Sequence, residues 1–273
     1  MTVPFSRSSD AAPARGRFVI AAGMQRSGTR WFCNMLVDIV GEVTGSGTRE
    51  LRDGYGVHGL LQQYYTPTFK ARLSNRRLRR LEAVLADGHT LVFKTHRPPT
   101  AALRDRIADG RAVATYLFRD PRDVVLSAMQ QGAKMRSQGA LPFRSFARLT
   151  SFDRSMRWLQ RRLLPVWQEW TSIDGVLTLR YEDLMADPRR TMANILAHLG
   201  IAAPPDVIDR VVRDYTAANI LDGTIRKALD LDEGVAARPR MVLTPDQQRR
   251  LQQALEPTLV RMGYLSSEEV MSR

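Results

Sequence analysis

Four short apolar runs recur along the chain, and amphipathic segments with helical spacing lie between and after them. The runs cover residues 18–22, 90–94, 112–118 and 175–180. Continuous apolar runs of this length, bounded by turn residues, are typical of strands that are buried on both faces. Buried strands that alternate with helices predict an α/β fold, in which a central parallel sheet is flanked by helices and the crossovers are right-handed.

Helices are predicted where apolar residues recur every three or four positions. The clearest of these segments cover residues 71–88, 151–170, 188–199 and 244–262. Two helix starts also carry capping signals, because Asp120 precedes Pro121 and Thr244 precedes Pro245. A short polar side chain followed by proline is typical of the first turn of a helix.

Two segments show neither a continuous apolar run nor apolar residues at helical spacing. Residues 41–69 are rich in glycine and turn residues, and we expect a loop-dominated insert that shapes a binding pocket. Residues 132–148 contain Gly132, Gly139 and Pro142, and they predict a mobile loop or lid. Neither segment indicates which molecule it would select.

The composition is ordinary for a globular protein except for its charge. Hydrophobic residues make up 44% of the 273 residues, but the net charge is +13. This excess suits an anionic ligand, and an anionic acceptor, a membrane surface or nucleic acid would also account for it. The one cysteine, Cys33, excludes an internal disulfide and a multi-cysteine metal site. Its place on the apolar face of the first predicted helix favours a packed core thiol.

A single domain is predicted over residues 17–265, between a loose N-terminal tail, 1–16, and a C-terminal tail, 266–273. No apolar run approaches the roughly 20 residues that a transmembrane helix needs. No apolar signal segment precedes Phe18. We therefore expect a cytoplasmic protein without a transmembrane segment, and its oligomeric state is left open.

The first apolar run leads into a glycine-bounded loop, residues 23–28, and then into a helix. Backbone N–H groups of such a loop and the helix dipole favour an anion, although a plain strand-to-helix turn is the alternative. The loop departs from the G-x-x-x-x-G-K-[ST] phosphate loop, because Thr29 replaces the lysine and Arg30 replaces the hydroxyl that binds magnesium. These replacements argue against a metal-dependent NTPase, and the positive charge has moved to Arg26.

His96 and Arg119 each follow an apolar run at the predicted carboxyl end of a strand. That edge of an open α/β sheet is where ligands bind. On position alone, His96 is either a catalytic base or a structural side chain. Arg119 offers a bidentate fork to a phosphate, and Ser127 lies two helical turns further on.

Taken in order, these segments resemble the sulfotransferases that use 3′-phosphoadenosine 5′-phosphosulfate (PAPS). Residues 26–31 are similar to the family's 5′-phosphosulfate loop, residues 94–96 to its catalytic-base segment, and Arg119 with Ser127 to its 3′-phosphate signature. Weaker matches occur at Tyr181 and later in the chain. The residues that the resemblance places on the nucleotide are Arg26, Ser27, Gly28, Thr29, Arg30, Trp31, Arg119, Ser127, Tyr181, Arg226 and Lys227.

The resemblance implies a P-loop-like sulfotransferase fold and in-line transfer of a sulfuryl group from PAPS to an acceptor hydroxyl or amine. His96 would be the general base, with an unperturbed pKa of about 6.5. Lys94 would stabilise the sulfuryl oxygens, and Arg26 the bridging oxygen of the leaving phosphate. The help from Arg26 would be electrostatic, because arginine keeps its proton. Trp31 is the expected adenine platform, and no metal is expected.

Alternatives stay open at three levels. Glu50 is a rival base, because tyrosyl-protein sulfotransferases use a glutamate in a comparable region. A kinase-like P-loop enzyme would need magnesium, and a basic nucleic-acid-binding protein would need its arginines on one face. The arginines are spread through the chain, so no nucleic-acid partner is expected. The acceptor is an alcohol, a phenol, a lipid or a glycan, and the sequence does not choose among them.

Overall fold

The computed structural model describes residues 16–47, 51, 53–57, 60, 73–141, 145–215, 243–266 and 268. Within them lie four strands, β1 (Phe18–Gly23), β2 (Leu91–Thr95), β3 (Ala112–Phe118) and β4 (Val176–Arg180). All neighbouring strands are parallel, and their order across the sheet is β2-β1-β3-β4. The predicted α/β fold with a central parallel sheet is confirmed, and each strand end lies within one residue of its predicted position.

The register brings the carboxyl ends of the strands to one edge of the sheet. Ala22 of β1 pairs with Thr95 of β2, and Gly23 pairs with Leu117 of β3. Because β2 and β3 lie on opposite sides of β1, the chain reverses its direction across the sheet at β1. A crevice forms at such a point in doubly wound folds, and it opens above the loop that follows β1.

Helices cover both faces of the sheet. In chain order they are α1 (Thr29–Thr44), α2 (Asn75–Ala86), α3 (Ala101–Ala108), α4 (Pro121–Ser137), α5 (Phe152–Trp158), α6 (Leu164–Thr171), α7 (Tyr181–Ala186), α8 (Pro188–His198), α9 (Pro205–Asp214) and α10 (Pro245–Arg261). Both predicted caps are confirmed, since Asp120 accepts from the Arg122 N–H and Thr244 from the Gln247 N–H. In the described part of the chain, no helix combines the length and apolar character that crossing a bilayer requires.

Two hydrophobic cores lie on opposite faces of the sheet, and alternate residues of β1 divide between them. Phe18 and Ile20 belong to one core, which also contains Trp170. Val19 belongs to the other, together with Phe32 of α1. The fourth strand departs from the prediction, because β4 lies at the sheet edge and its residues are only partly buried. The edge position alone does not explain this exposure, since β2 at the opposite edge is buried at every residue.

The long helix predicted over 151–170 is interrupted by a π-helical turn, Leu159–Leu163, between α5 and α6. Pro165 lies in the first turn of α6 and has no N–H to donate to the preceding turn. A wider turn at this position avoids the clash that proline would cause in a regular helix. Such turns often occur at functional sites, and this one lies beside the crevice.

The lid predicted over residues 132–148 is wrong for the residues that the structure describes. Helix α4 continues through Gly132 to Ser137, and Ser145–Arg148 forms a 3₁₀ turn packed against it. Arg136 fastens this turn, because its Nη1 donates to the Ala147 carbonyl at 2.9 Å. Gly132 allows the close approach, since a Cβ there would lie 2.5 Å from the Phe146 carbonyl oxygen. A single helical glycine costs about 1 kcal/mol, which packing can override.

Cys33 lies on the buried face of α1, as predicted, and its side chain has no exposed surface. Burial raises the pKa of its thiol to about 12, because the thiolate would lose its hydration. The sulfur therefore stays protonated at physiological pH and behaves as a small apolar side chain.

We expect Gly132→Ala to lower the free energy of unfolding by about 1–3 kcal/mol, because the added Cβ overpacks the contact between α4 and the 3₁₀ turn. Gly41→Ala in α1 is the matched control, since its Cβ would meet nothing closer than 3.7 Å. That variant should gain up to about 1 kcal/mol from helix propensity. Chemical denaturation of both variants measures the difference, and equal stability would contradict the packing described here.

Candidate active site

The loop between β1 and α1 has two residues in the left-handed backbone conformation, just before the start of the helix. Arg26 and Gly28 both have a φ of 70°, in the left-handed region. Gly28 caps α1 through its carbonyl, which accepts from the Phe32 N–H at 3.0 Å. Left-handed loop residues turn successive backbone N–H groups toward one point, and the dipole of the 16-residue helix adds positive potential there. The arrangement suits an anion.

Two glycines in this loop stand where any side chain would collide. A Cβ on Gly28 would lie 2.7 Å from the Tyr181 ring, at the start of α7. A Cβ on Gly23 would lie 2.5 Å from the Thr29 side chain and 2.7 Å from the Leu117 carbonyl oxygen. These close approaches join the loop to the ends of β3 and β4, so the loop is a fixed part of the sheet edge.

Two polar atoms at this edge are buried without a hydrogen bond to any described residue: Ser27 Oγ and Arg119 Nε. An unsatisfied buried polar group costs about 1–3 kcal/mol, so such groups in native proteins usually have a partner. The Arg119 guanidinium lies 4.7 Å from the centre of the Tyr181 ring, which covers Gly28. Phosphate or sulfate groups bound at this edge would satisfy these donors, so the two residues fit an anionic ligand.

Arg26 connects the loop to helix α4. Its Nε donates to Ser127 Oγ at 3.0 Å, and its guanidinium lies 5.7 Å from the centre of the Phe146 ring. The family resemblance assigns Arg26 to the 5′ end of the nucleotide and Ser127 to its 3′-phosphate. The structure brings both side chains together through a direct hydrogen bond.

His96 lies at the end of β2 and is oriented by the loop. Its Nδ1–H donates to the Gly23 carbonyl oxygen at 2.7 Å. A carbonyl only accepts, so this bond places the proton on Nδ1 and leaves the lone pair on Nε2. A neutral imidazole held in this tautomer can accept a proton through Nε2. The ring also lines a surface cleft, which gives an incoming molecule access to it.

The electrostatic surroundings of His96 correct one expectation from the sequence. Burial, and then the neighbouring Lys94 ammonium, lower the pKa of His96 to about 3, and Arg30 adds to the shift. The expected pKa of about 6.5 is therefore too high for His96 in this structure. Lys94 itself is buried at the end of β2. Lys94 and Arg30 thus both lie near enough to His96 to act on it electrostatically.

Trp31 lies on the first turn of α1, next to the loop. Its Nε1–H donates to the Tyr215 carbonyl at 2.9 Å, and the Tyr215 hydroxyl donates to Asp38 at 2.6 Å. The indole is therefore fixed against the end of α9. Other predicted residues fall outside the described part of the chain: Glu50, Arg226 and Lys227.

A cleft of about 670 Å³ lies beside the loop, and the sequence pattern does not reveal it. Gln25 and His96 line one side of it, and residues 158–166 line another. Trp158 and Leu163, which the helical pattern assigns to the core, are buried and also border the cleft. The sequence signal for this wall is the Arg161-Arg162 pair, which two leucines follow directly.

No group of three or more His, Cys, Asp or Glu side chains suited to a metal ion occurs among the described residues. The polar groups that converge at the sheet edge are hydroxyls, backbone N–H groups and cations. Backbone N–H groups and cationic side chains bind anions, and a hydroxyl can donate a hydrogen bond to an anion as well.

The family model for the sulfotransferase domain matches residues 17–263 of this chain. Among solved structures, retinol dehydratase in complex with retinol and PAP is similar, with a TM-score of 0.53 and 19% identity over 90% of this chain and 82% of that one. Mouse sulfotransferase SULT7A1 complexed with PAP is also similar, with a TM-score of 0.53 and 14% identity over 90% and 85% of the two chains. No curated protein sequence matches. These likenesses confirm the predicted sulfotransferase fold.

We expect the His96 ring to stay neutral from pH 8 down to about pH 5, because its pKa in the folded protein is lowered to about 3. Long-range ¹H–¹⁵N NMR should show a protonated Nδ1 and an unprotonated Nε2 across this range, and the His96→Gln variant assigns the signals. A titration midpoint between pH 6 and 7 would contradict the surroundings described for this ring.

Proposed function

Because the chain belongs to the sulfotransferase domain family, we propose that it transfers a sulfuryl group from PAPS to the hydroxyl or amine of an acceptor, in line and without a metal. The observation that supports this most directly is the convergence at one sheet edge. The anion-binding loop follows β1, His96 follows β2, and Arg119 follows β3. Similar folds bind PAP, the nucleotide that remains after PAPS loses its sulfuryl group.

The residues that would hold the nucleotide lie in the loop after β1 and on the neighbouring elements of the sheet edge. Ser27, Gly28 and Thr29 would bind its 5′ end through backbone and hydroxyl groups, as helix N-termini bind phosphates. Arg119 and Ser127 would bind the 3′-phosphate, and Tyr181 lies between these two groups of contacts. When bound, PAPS supplies an activated sulfuryl group with a phosphate as its leaving group.

His96 would take the proton from the acceptor through Nε2. Its lowered pKa keeps Nε2 free of a proton at neutral pH, but it also makes the ring a weak base. A nucleotide anion near Lys94 and Arg30 would offset the two cations that lower this pKa. The pKa of His96 would then rise toward the range that suits a general base. On this proposal, the base becomes effective only when the site is loaded.

Two cations would stabilise the charge that develops during transfer. Lys94 is buried beside His96, where a charge acts with little solvent screening. Arg26 would contribute from the other side of the loop through its fixed positive charge, since it cannot donate its proton. Trp31 would offer its ring to the adenine, with the indole held by Tyr215.

Several finer assignments belong to the same proposal. A small-molecule acceptor is favoured, because the similar retinol dehydratase is bound to retinol in one structure and to androsterone in another. The single domain over residues 17–265, the two tails and the cytoplasmic location stay predictions. So do the absence of a nucleic-acid partner and the 3′-phosphate contacts from Arg226 and Lys227.

Calorimetric titration separates this function from a kinase-like one. We expect PAP to bind equally well with EDTA or with magnesium, and ATP to bind more weakly in both conditions. The physical reason is that Arg30 stands where a magnesium-binding hydroxyl would be needed. ATP binding that requires magnesium and exceeds that of PAP would overturn the proposal. Binding only to nucleic acid, with a steep dependence on salt, would do so as well.

The assignment of the base is tested by two substitutions. His96→Gln should reduce sulfuryl transfer by about 10²–10⁴-fold, the range typical for loss of a general base. It should leave PAP binding within a few-fold of the original, because His96 does not hold the nucleotide. Glu50→Gln is the matched variant of the rival base and should keep most of the activity. The reverse pattern would move the role to Glu50.

A further inference from the structure

The charged side chains that line the cleft beside His96 are positive. Four arginines line it, and the described lining contains no aspartate or glutamate: Arg97, Arg148, Arg161 and Arg162. All four side chains belong to exposed residues, which leaves their guanidinium groups accessible from solvent. The cleft also contains His96 and the loop residue Gln25, so it opens onto the atoms where the proposed transfer would take place.

Three of these arginines differ from other surface arginines of this chain. Arg104, Arg111 and Arg250 each lie within ion-pair distance of a carboxylate. None of the ion pairs among described residues includes Arg148, Arg161 or Arg162. Like charges gathered in a concave surface raise the local potential and attract anions. A guanidinium is suited to a carboxylate or a phosphate, because its fork binds two oxygens at once.

The backbone around the cleft explains how these side chains come together. Arg161 and Arg162 lie in the π-helical turn, and Arg148 ends the 3₁₀ turn that packs on α4. An aromatic contact joins the two regions: the Phe146 and Trp158 rings pack edge to face, with their centres 5.5 Å apart. The positions of the arginines therefore depend on packed elements and not on a free loop.

The cleft also has apolar lining residues. Phe146, Trp158, Leu163 and Val166 contribute to the wall below the arginines. An acceptor that fills this cleft would place an apolar or ring-shaped body against these side chains. Its charged group would then meet the guanidinium groups, and its nucleophile would lie near His96.

We infer that the acceptor is an anionic molecule: it carries a carboxylate, phosphate or sulfate group in addition to the hydroxyl or amine that is sulfated. Arg161 and Arg162, with Arg148, bind this acidic group and orient the acceptor toward His96 Nε2. This inference rests on the proposed function, and it narrows the acceptor class that the sequence leaves open.

The test compares pairs of closely related acceptors in which one member is acidic and the other is neutral. The pairs are 4-hydroxyphenylacetate with its methyl ester, phenyl glucuronide with phenyl glucoside, and phenyl glucoside phosphate with phenyl glucoside. They cover a carboxylate on a phenol, a carboxylate on a sugar and a phosphate on a sugar. Initial rates of sulfuryl transfer give kcat/KM for each member. Binding to the PAP-saturated protein, measured by calorimetry, provides a second readout that does not require turnover.

Two double variants make the comparison specific. Arg161→Gln with Arg162→Gln removes two charges from the cleft. Arg154→Gln with Arg157→Gln removes two charges from exposed positions of α5 that do not line it. We expect the original protein to prefer the acidic member of at least one pair by about tenfold or more, as charge-assisted hydrogen bonds would give. The preference should approach unity in the first variant and persist in the second, and both variants should still bind PAP.

The outcomes separate this inference from the proposed function. A protein that does not bind PAP overturns the proposed function, and the inference falls with it. If PAP binds, the inference alone is overturned by equal or better use of the neutral members, or by a preference that survives Arg161→Gln with Arg162→Gln. An equal loss in the control variant overturns it too, as does the absence of binding of every acidic probe at millimolar concentration.

Discussion

The hydrogen bond from His96 to the Gly23 carbonyl joins the two strand ends on which the site is built. It connects the first residue of the anion-binding loop to the side chain that follows the neighbouring strand. Gly23 is the last residue of β1, and His96 directly follows the parallel strand β2, which is paired with β1 in register. Neither residue can shift without disturbing the sheet. This bond also determines which nitrogen of the imidazole carries the proton. The position of the loop and the chemistry of the histidine therefore depend on one contact.

The charges around that contact have opposing effects. Lys94 and Arg30 make the site attractive to an anion, but they also disfavour a positive charge on His96. A positive charge on the imidazole is disfavoured beside these cations, so the ring stays neutral at physiological pH. An anionic nucleotide would bind beside the cations and weaken their effect on the pKa of His96, because its charge compensates theirs. On the proposed function, nucleotide binding would therefore raise the basicity of the histidine through electrostatics.

Much of the sheet edge could be predicted from the sequence because it depends on local signals. Buried strands of a parallel sheet are continuous apolar runs, and the residue after each run lies at the ligand-binding edge, as with His96 and Arg119. The cleft could not be predicted in this way. It depends on the contact between Gly132 and Phe146, and on a π-helical turn before Pro165, and both are tertiary features. The glycines of 132–148 predict a break in the helix, but packing against the 3₁₀ turn overrides that propensity. The pKa of His96 was missed for the same reason, since the burial that lowers it arises only in the folded chain.

The buried thiol on α1 has a practical consequence. Alkylating and oxidising reagents react with thiolates, and Cys33 keeps its proton and has no exposed surface. With no other cysteine in the chain, the folded protein offers such reagents no reactive sulfur. Any cysteine placed on its surface would therefore be the sole point of attachment for a fluorophore or spin label. The domain can be labelled at a chosen position without first removing its natural cysteine.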